Sequence, residues 1–175
     1  MVERKIGKRV IRLVRGDITD LEVEAFVYDI TSDCKLDSGY GGAIAQRGGK
    51  TIQDELDSIG KLPVGEATIT SAGNMKASHI IHANGPKFNE SDTEGKLRRA
   101  IKAALKLADD KGIKQLAFTP MGTGLYQVPL DLGVKVMVET ITKHLEGTTQ
   151  LDEVTLVALD AREYQPLQAQ IQGGK

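Results

Sequence analysis

Apolar and polar positions along the chain fall into short runs of changing period, and the periods predict the elements. Residues 10–14 (VIRLV) alternate in part and stop at Arg15-Gly16-Asp17, a strand running into a turn. Residues 23–28 (VEAFVY) read as a second strand, with Phe26 and Val27 adjacent as in a strand buried on both faces. EATITSAG at 66–73 alternates with period two and ends in a Gly-Asn turn, and 79–83 (HIIHA) is closed by Gly85-Pro86. Residues 115–119 and 153–159 are two further strands. The helical period is clearest at 94–111, where Leu97, Ile101, Leu105 and Ala108 share one face and Gly112 is placed to cap the end. Residues 43–47 and 51–59 read as a short helix and its continuation, broken at Gly48-Gly49. Residues 130–145 form a second long helix, and a last short helix begins at 161, with 170–175 expected to fray.

Strands alternate with helices through the second half, which predicts an α/β fold with helices on both faces of a largely parallel sheet. No repeat or linker interrupts the pattern, so residues 1–175 are expected to form one domain. Aromatic residues are 4% of the chain and Trp is absent, leaving aliphatic side chains to fill the core.

A formal net charge of -1 argues against non-specific binding of nucleic acid. The basic opening of Arg4, Lys5, Lys8, Arg9, Arg12 and Arg15 is expected to be the solvated face of the first strand. A single cysteine, Cys34, excludes an internal disulfide, and nothing marks it as an activated thiol. The chain opens without the apolar run of a signal peptide, and no stretch approaches the roughly 18 apolar residues of a membrane span. The expectation is a cytoplasmic protein without a membrane partner. His79 and His82 are expected to pack on the same side of their strand; no Cys or acidic partner completes a metal site, and no cofactor is expected.

Two glycine clusters carry the candidate chemistry. LDSGYGGAIAQRGG (36–49) and PMGTGLYQVP (120–129) each lie between a strand and a helix. Ligands of α/β sheets bind at the carboxyl ends of strands, in the loops that feed helices. Two such loops on one edge make a crevice walled by backbone N–H groups, which suit phosphate oxygens; a diphosphate has about the length to bridge them. Neither loop is a P-loop, since no Gly-Lys-Ser/Thr follows.

Six stretches, VRGDIT (14–19), LDSGYGGAIA (36–45), LPVGEATIT (62–70), HIIHANGP (79–86), FTPMGTGLYQVP (118–129) and VTLVALDAREY (154–164), occur in the order found in the macro domain, an ADP-ribose-binding family that this chain resembles. The resemblance implies a three-layer α/β/α fold with a central mixed, largely parallel sheet. It implies ADP-ribose, or an ADP-ribosylated protein, as the partner. By position, Asp17 would accept a hydrogen bond from the adenine amino group, and Ile18 would touch the same end through its backbone. Ser38, Gly39, Tyr40, Gly41 and Gly42, with Gly122, Thr123, Gly124 and Leu125, would hold the diphosphate and distal ribose. Tyr126 would pack beside that ribose, and Asp160 and Tyr164 would lie near the adenosine. On residues alone, Asp17 is a turn former and Tyr164 a core aromatic.

The first loop departs from the family pattern. The usual Asn-containing run becomes YDIT at 28–31, which puts Thr31 where an Asn binds the distal ribose. The three-glycine run becomes Asp37-Ser38-Gly39, and the Asp that hydrolytic members carry two residues later is Gly41. A glycohydrolase branch with a stretch like ITSDCKL uses a Lys and an Asp whose positions here hold Asn84 and Tyr126. The carboxylates left nearby are Asp29, Asp33 and Asp37, which are either exposed loop acids or the acid–base groups of a cleavage reaction. Three readings follow: an ADP-ribose binder, an ADP-ribosyl hydrolase or O-acetyl-ADP-ribose deacetylase using a loop acid such as Asp37, and a module for nucleic acid or another nucleotide.

Overall fold

Apolar residues run side by side in the middle of the sheet because both of its faces are covered. The computed structural model describes residues 2–37, 39–121 and 128–173. Its strands are β1 (Val2–Ile6), β2 (Arg9–Arg15), β3 (Ala25–Asp29), β4 (Ala67–Ser71), β5 (His79–Ala83), β6 (Gln115–Phe118) and β7 (Glu153–Ala158), ordered β1-β2-β7-β6-β3-β5-β4. The five inner strands are parallel, and β1 and β4 are antiparallel edges. Successive β3 residues point to opposite faces. Ala25 and Val27 meet the helices α3 (Thr93–Asp110), α4 (Leu130–Glu146) and α5 (Ala161–Gly173); Phe26 and Tyr28 meet α1 (Gly39–Gly48) and α2 (Lys50–Ile59). The result is the expected three-layer α/β/α arrangement.

The α3 stripe of Leu97, Ile101, Leu105 and Ala108 is fully buried, and Gly112 follows the helix in the left-handed region at φ +69°. The break at Gly48-Gly49 has a steric cause. Asn74 N donates to Gly48 O, and a Cβ on Gly73 would lie 2.1 Å from that oxygen, so the α1–α2 junction and the turn after β4 can only meet as bare backbone.

Four expectations need correction. The first strand is β1 rather than β2; the three consecutive charged residues of VERKI hide it, and a two-residue turn at Gly7-Lys8 (Gly7 φ +62°) joins the two. The basic opening is not simply solvated. Arg4 donates to the carbonyls of Gln170 and Ile171 at 2.7 and 2.6 Å, and Arg9 to those of Leu145 and Gly147 at 3.0 and 3.2 Å, so both cap helix C-termini. Helix α5 continues past 170 to Gly173, with Ile171 buried.

Finally, His79 and His82 are three apart and so point to opposite faces; His79 is exposed and His82 buried. His82 Nδ1 lies 2.6 Å from the Tyr28 hydroxyl and Nε2 2.8 Å from Thr70 Oγ1. Thr70 Oγ1 donates to Ser71 O, so it accepts from an Nε2–H, and Nδ1 accepts from Tyr28. Burial pushes the imidazole pKa down to about 3. No helix among the described residues is long and apolar enough to cross a membrane.

Candidate functional site

Because the inner strands are parallel, the segments that follow β2, β3, β5, β6 and β7 all leave the same edge of the sheet. That edge gathers Asp17, the loop into α1, Asn84 and Asp160. Ser38, Gly122, Thr123, Gly124, Leu125 and Tyr126 lie outside the described residues.

At one end of the edge, Asp17 caps the 3-10 turn Ile18–Asp20. Its Oδ1 accepts from both Thr19 N (2.9 Å) and Thr19 Oγ1 (2.6 Å). The turn-former reading of Asp17 therefore holds, and Oδ2 remains for other contacts. Ile18 is fully buried. Arg47, in the last turn of α1, brings Nη2 to 3.6 Å from Asp17 Oδ2 and Nη1 to 3.5 Å from Asp20 Oδ1; Lys76 Nζ reaches Asp20 at 3.2 Å.

Asp160 opens α5. Its Oδ1 accepts from Glu163 N at 3.1 Å, while the nearly buried Glu163 returns Oε1 to Leu159 N at 2.8 Å. This is close to a capping box, and the sequence Asp-Ala-Arg-Glu carried that signal for Glu163. Tyr40, in the first turn of α1, joins this group. Burial raises its pKa, and the negative charges of Glu163, Asp17 and Asp160 raise it further, so the phenol stays neutral at physiological pH. Tyr164 packs partly against the core and lines an open cleft of about 510 Å³ with Leu13, Val14 and Arg15. It is both a core aromatic and a wall.

The start of α1 is built for close approach. Gly39 sits at φ +54°, and a Cβ on Gly41 would be 3.2 Å from Leu36 Cα. Gly42 has no heavy atom within 4 Å of where its Cβ would be. N–H groups at a helix start beside open space suit an anion.

The other end of the edge is different. Thr31 Oγ1 donates to Asp33, and Asn84 Nδ2 clasps Ser32 Oγ and Leu62 O, both at 2.7 Å. A cleft of about 270 Å³ opens between Thr31, Asp33, Asn84, Gly85, Lys87 and Glu90. Asp29 is half-buried, its Oδ1 3.0 Å from where a Gly85 Cβ would stand; Asp33 and Asp37 are exposed. Cys34 is buried with φ +58°, and burial, then the charge of Asp33, raises its pKa, the reverse of thiol activation. Asn84, Arg47, Glu163 and the Tyr28–His82–Thr70 relay were not assigned these roles from sequence. Arg47 could have been found, since it shares a helix face with Tyr40 and Ile44.

The macro domain family model matches residues 30–137. A macro domain-containing protein of Caldanaerobacter subterraneus subsp. tengcongensis is 37% identical over 164 residues, covering 90% of this chain and 93% of the relative. A Pantoea vagans protein named O-acetyl-ADP-ribose deacetylase 1 is 34% identical over 160 residues, covering 88% and 94%. Among solved structures, a mutant macrodomain of Oceanobacillus iheyensis with ADPR aligns with TM-score 0.93 at 24% identity, covering 98% of this chain and 96% of that one, a likeness of fold. The Trypanosoma brucei macrodomain in complex with ADP-ribose aligns with TM-score 0.85 at 26% identity, covering 90% and 67%.

Proposed function

This chain belongs to the macro domain family, and from that premise we propose that it binds ADP-ribose, free or attached to a protein, in the cleft at the carboxyl edge of its sheet. The observation that carries the reading is the assembly on one edge of a carboxylate facing α1, a glycine-bordered helix start and the helix-capping acid Asp160. A carboxylate accepts from the exocyclic amine of adenine and repels a carbonyl at the same place. Bare N–H groups at the start of α1 suit the diphosphate. The roles of Asp17, Ile18, Gly39 to Gly42, Asp160 and Tyr164 on the adenosine and diphosphate, of Thr31 on the distal ribose, and of Ser38 and Gly122 to Tyr126 around both, are part of this proposal.

Calorimetric titration of the purified chain with ADP-ribose, and with AMP as control, tests it. Micromolar ADP-ribose binding with AMP at least about tenfold weaker supports the reading. No heat with either ligand sinks it.

A second reading, hydrolysis at the distal ribose, is favoured by the Pantoea vagans relative's name and by the carboxylates Asp29, Asp33 and Asp37 close in sequence to Thr31. In that case a loop acid would activate water or protonate the leaving group. The assay is turnover of O-acetyl-ADP-ribose: loss in Asp33→Ala or Asp37→Ala with binding retained favours an enzyme, and no turnover by the parent protein leaves a binder.

A further inference from the structure

We propose that Arg47 is a positioning residue that sets base specificity, holding the Asp17 carboxylate turned toward the cleft so that an exocyclic amine is selected over a carbonyl. The inference rests on the ADP-ribose reading above. Tyr40, Ile44 and Arg47 recur at spacings of four and three, so they share one face of α1. Ile44 is fully buried and anchors that face, leaving Tyr40 and Arg47 on either side of it.

Asp17 has two oxygens, and they are used differently. Oδ1 takes both Thr19 donors, and Oδ2 faces Arg47 at 3.6 Å. A ligand amine must therefore be received at the oxygen beside the guanidinium. The guanidinium is a planar fork, and here one nitrogen faces Asp17 while the other faces Asp20 at 3.5 Å. Asp20 thereby holds the guanidinium in place, and the Thr19 donors at Oδ1 and Arg47 at Oδ2 together restrain the Asp17 carboxylate torsion.

Charge supplies the second half of the argument. Asp17 and Asp20 face Arg47, while Asp160 and Glu163 share the surroundings of Tyr40, and the proposed ligand brings a diphosphate. Left uncompensated, these acids would drive the Asp17 carboxylate toward solvent and oppose an anionic ligand. Arg47 and Lys76 both offset that charge. Among the described residues, only Arg47 has an ion pair to Asp17, and Lys76 pairs with Asp20 alone. Lys76 is thus a built-in control for charge without positioning.

The test titrates the full chain with ADP-ribose and with its hypoxanthine counterpart, inosine diphosphate ribose, at low and high salt. The parent protein is expected to prefer adenine by about tenfold or more, the range of a hydrogen bond to a charged group. Arg47→Gln should weaken ADP-ribose binding about tenfold and bring the adenine preference to within about threefold of unity, with Arg47→Lys between the two. Lys76→Gln should weaken both ligands alike, leave the preference intact, and fade in high salt. An unchanged preference in Arg47→Gln, or a Lys76→Gln that reproduces its effect, overturns the proposal. Failure of the parent protein to bind ADP-ribose would defeat the functional reading itself, and is visible before any variant is made. Melting curves of both variants verify the fold, the Arg47 and Lys76 side chains being 47% and 60% exposed.

Discussion

The two ends of the carboxyl edge are held by different forces. At the Asp17 end the contacts are charged and open to solvent: Asp17, Asp20, Arg47 and Lys76 pair across side chains that are 41% to 60% exposed. At the Thr31 end, apart from the exposed contact of Thr31 with Asp33, they are neutral and shielded. Asn84 ties Ser32 to Leu62, and the last residues of β3 rest on the buried Tyr28–His82–Thr70 relay. Exposed ion pairs are worth little to stability and respond to salt. Buried hydrogen bonds have the opposite character, because removing one partner strands the other away from water. One end is thus expected to govern recognition and the other stability.

The largest expected effect comes from breaking the shielded end. His82→Leu removes the acceptor of the Tyr28 hydroxyl and the donor to Thr70 Oγ1, and should cost about 1–3 kcal/mol in urea unfolding at neutral pH. The same residue gives the parent protein an acid-sensitive component. The unfolded imidazole titrates near 6.5, whereas in the fold its pKa is about 3. Above pH 6.5 both states are neutral and nothing changes. Between those values the unfolded chain gains a proton that the native one refuses, so stability falls with falling pH, and the loss levels off below about 3. His82→Leu lacks this component, so its deficit should narrow as melts are repeated from pH 7 toward pH 4. A deficit that stays constant would mean that the histidine is not held neutral.

Next in size is a change at the charged end, which should affect binding more than folding. Asp17→Ala removes a half-exposed carboxylate and is expected to lower ADP-ribose affinity about tenfold to a hundredfold. The lost cap should cost about 1 kcal/mol or less. If Asp17→Ala unfolds the protein as readily as His82→Leu, or binds ADP-ribose as the parent does, the division between the two ends fails.

The sequence made these ends unequally legible. Period and punctuation located α3, α4, β5 and β7 within a residue or two, because each has a long apolar face or a glycine stop. β1 escaped because its inward-facing Arg4 reads as polar, although its guanidinium finds helix carbonyls. The Asp17 end could be read because turn chemistry and capping are local, as in Asp17-Ile18-Thr19 and Asp160-Ala-Arg-Glu. The shielded end could not. Tyr28 meets His82 across 54 residues, and Asn84 reaches Ser32 across 52. Contacts of that separation exist only once the strand order is known.

The smallest expected effect probes where the two ends should meet on one ligand. On the binding reading proposed above, Thr31 would meet the distal ribose, and its hydroxyl proton is already committed to Asp33. In that state it can accept from a ribose hydroxyl but not donate. Thr31→Asn would supply a donor and an acceptor on a longer arm while releasing Asp33. A gain of less than about tenfold in ADP-ribose affinity is expected, with AMP, which lacks that ribose, unaffected. The ratio of the two dissociation constants is the quantity to measure, because it cancels any change at the Asp17 end. A rise confined to ADP-ribose would show that YDIT weakens a ribose contact the rest of the cleft still supports. A fall would show that Thr31 and Asp33 form a different ribose contact of their own, and that the loop has been retuned rather than impaired.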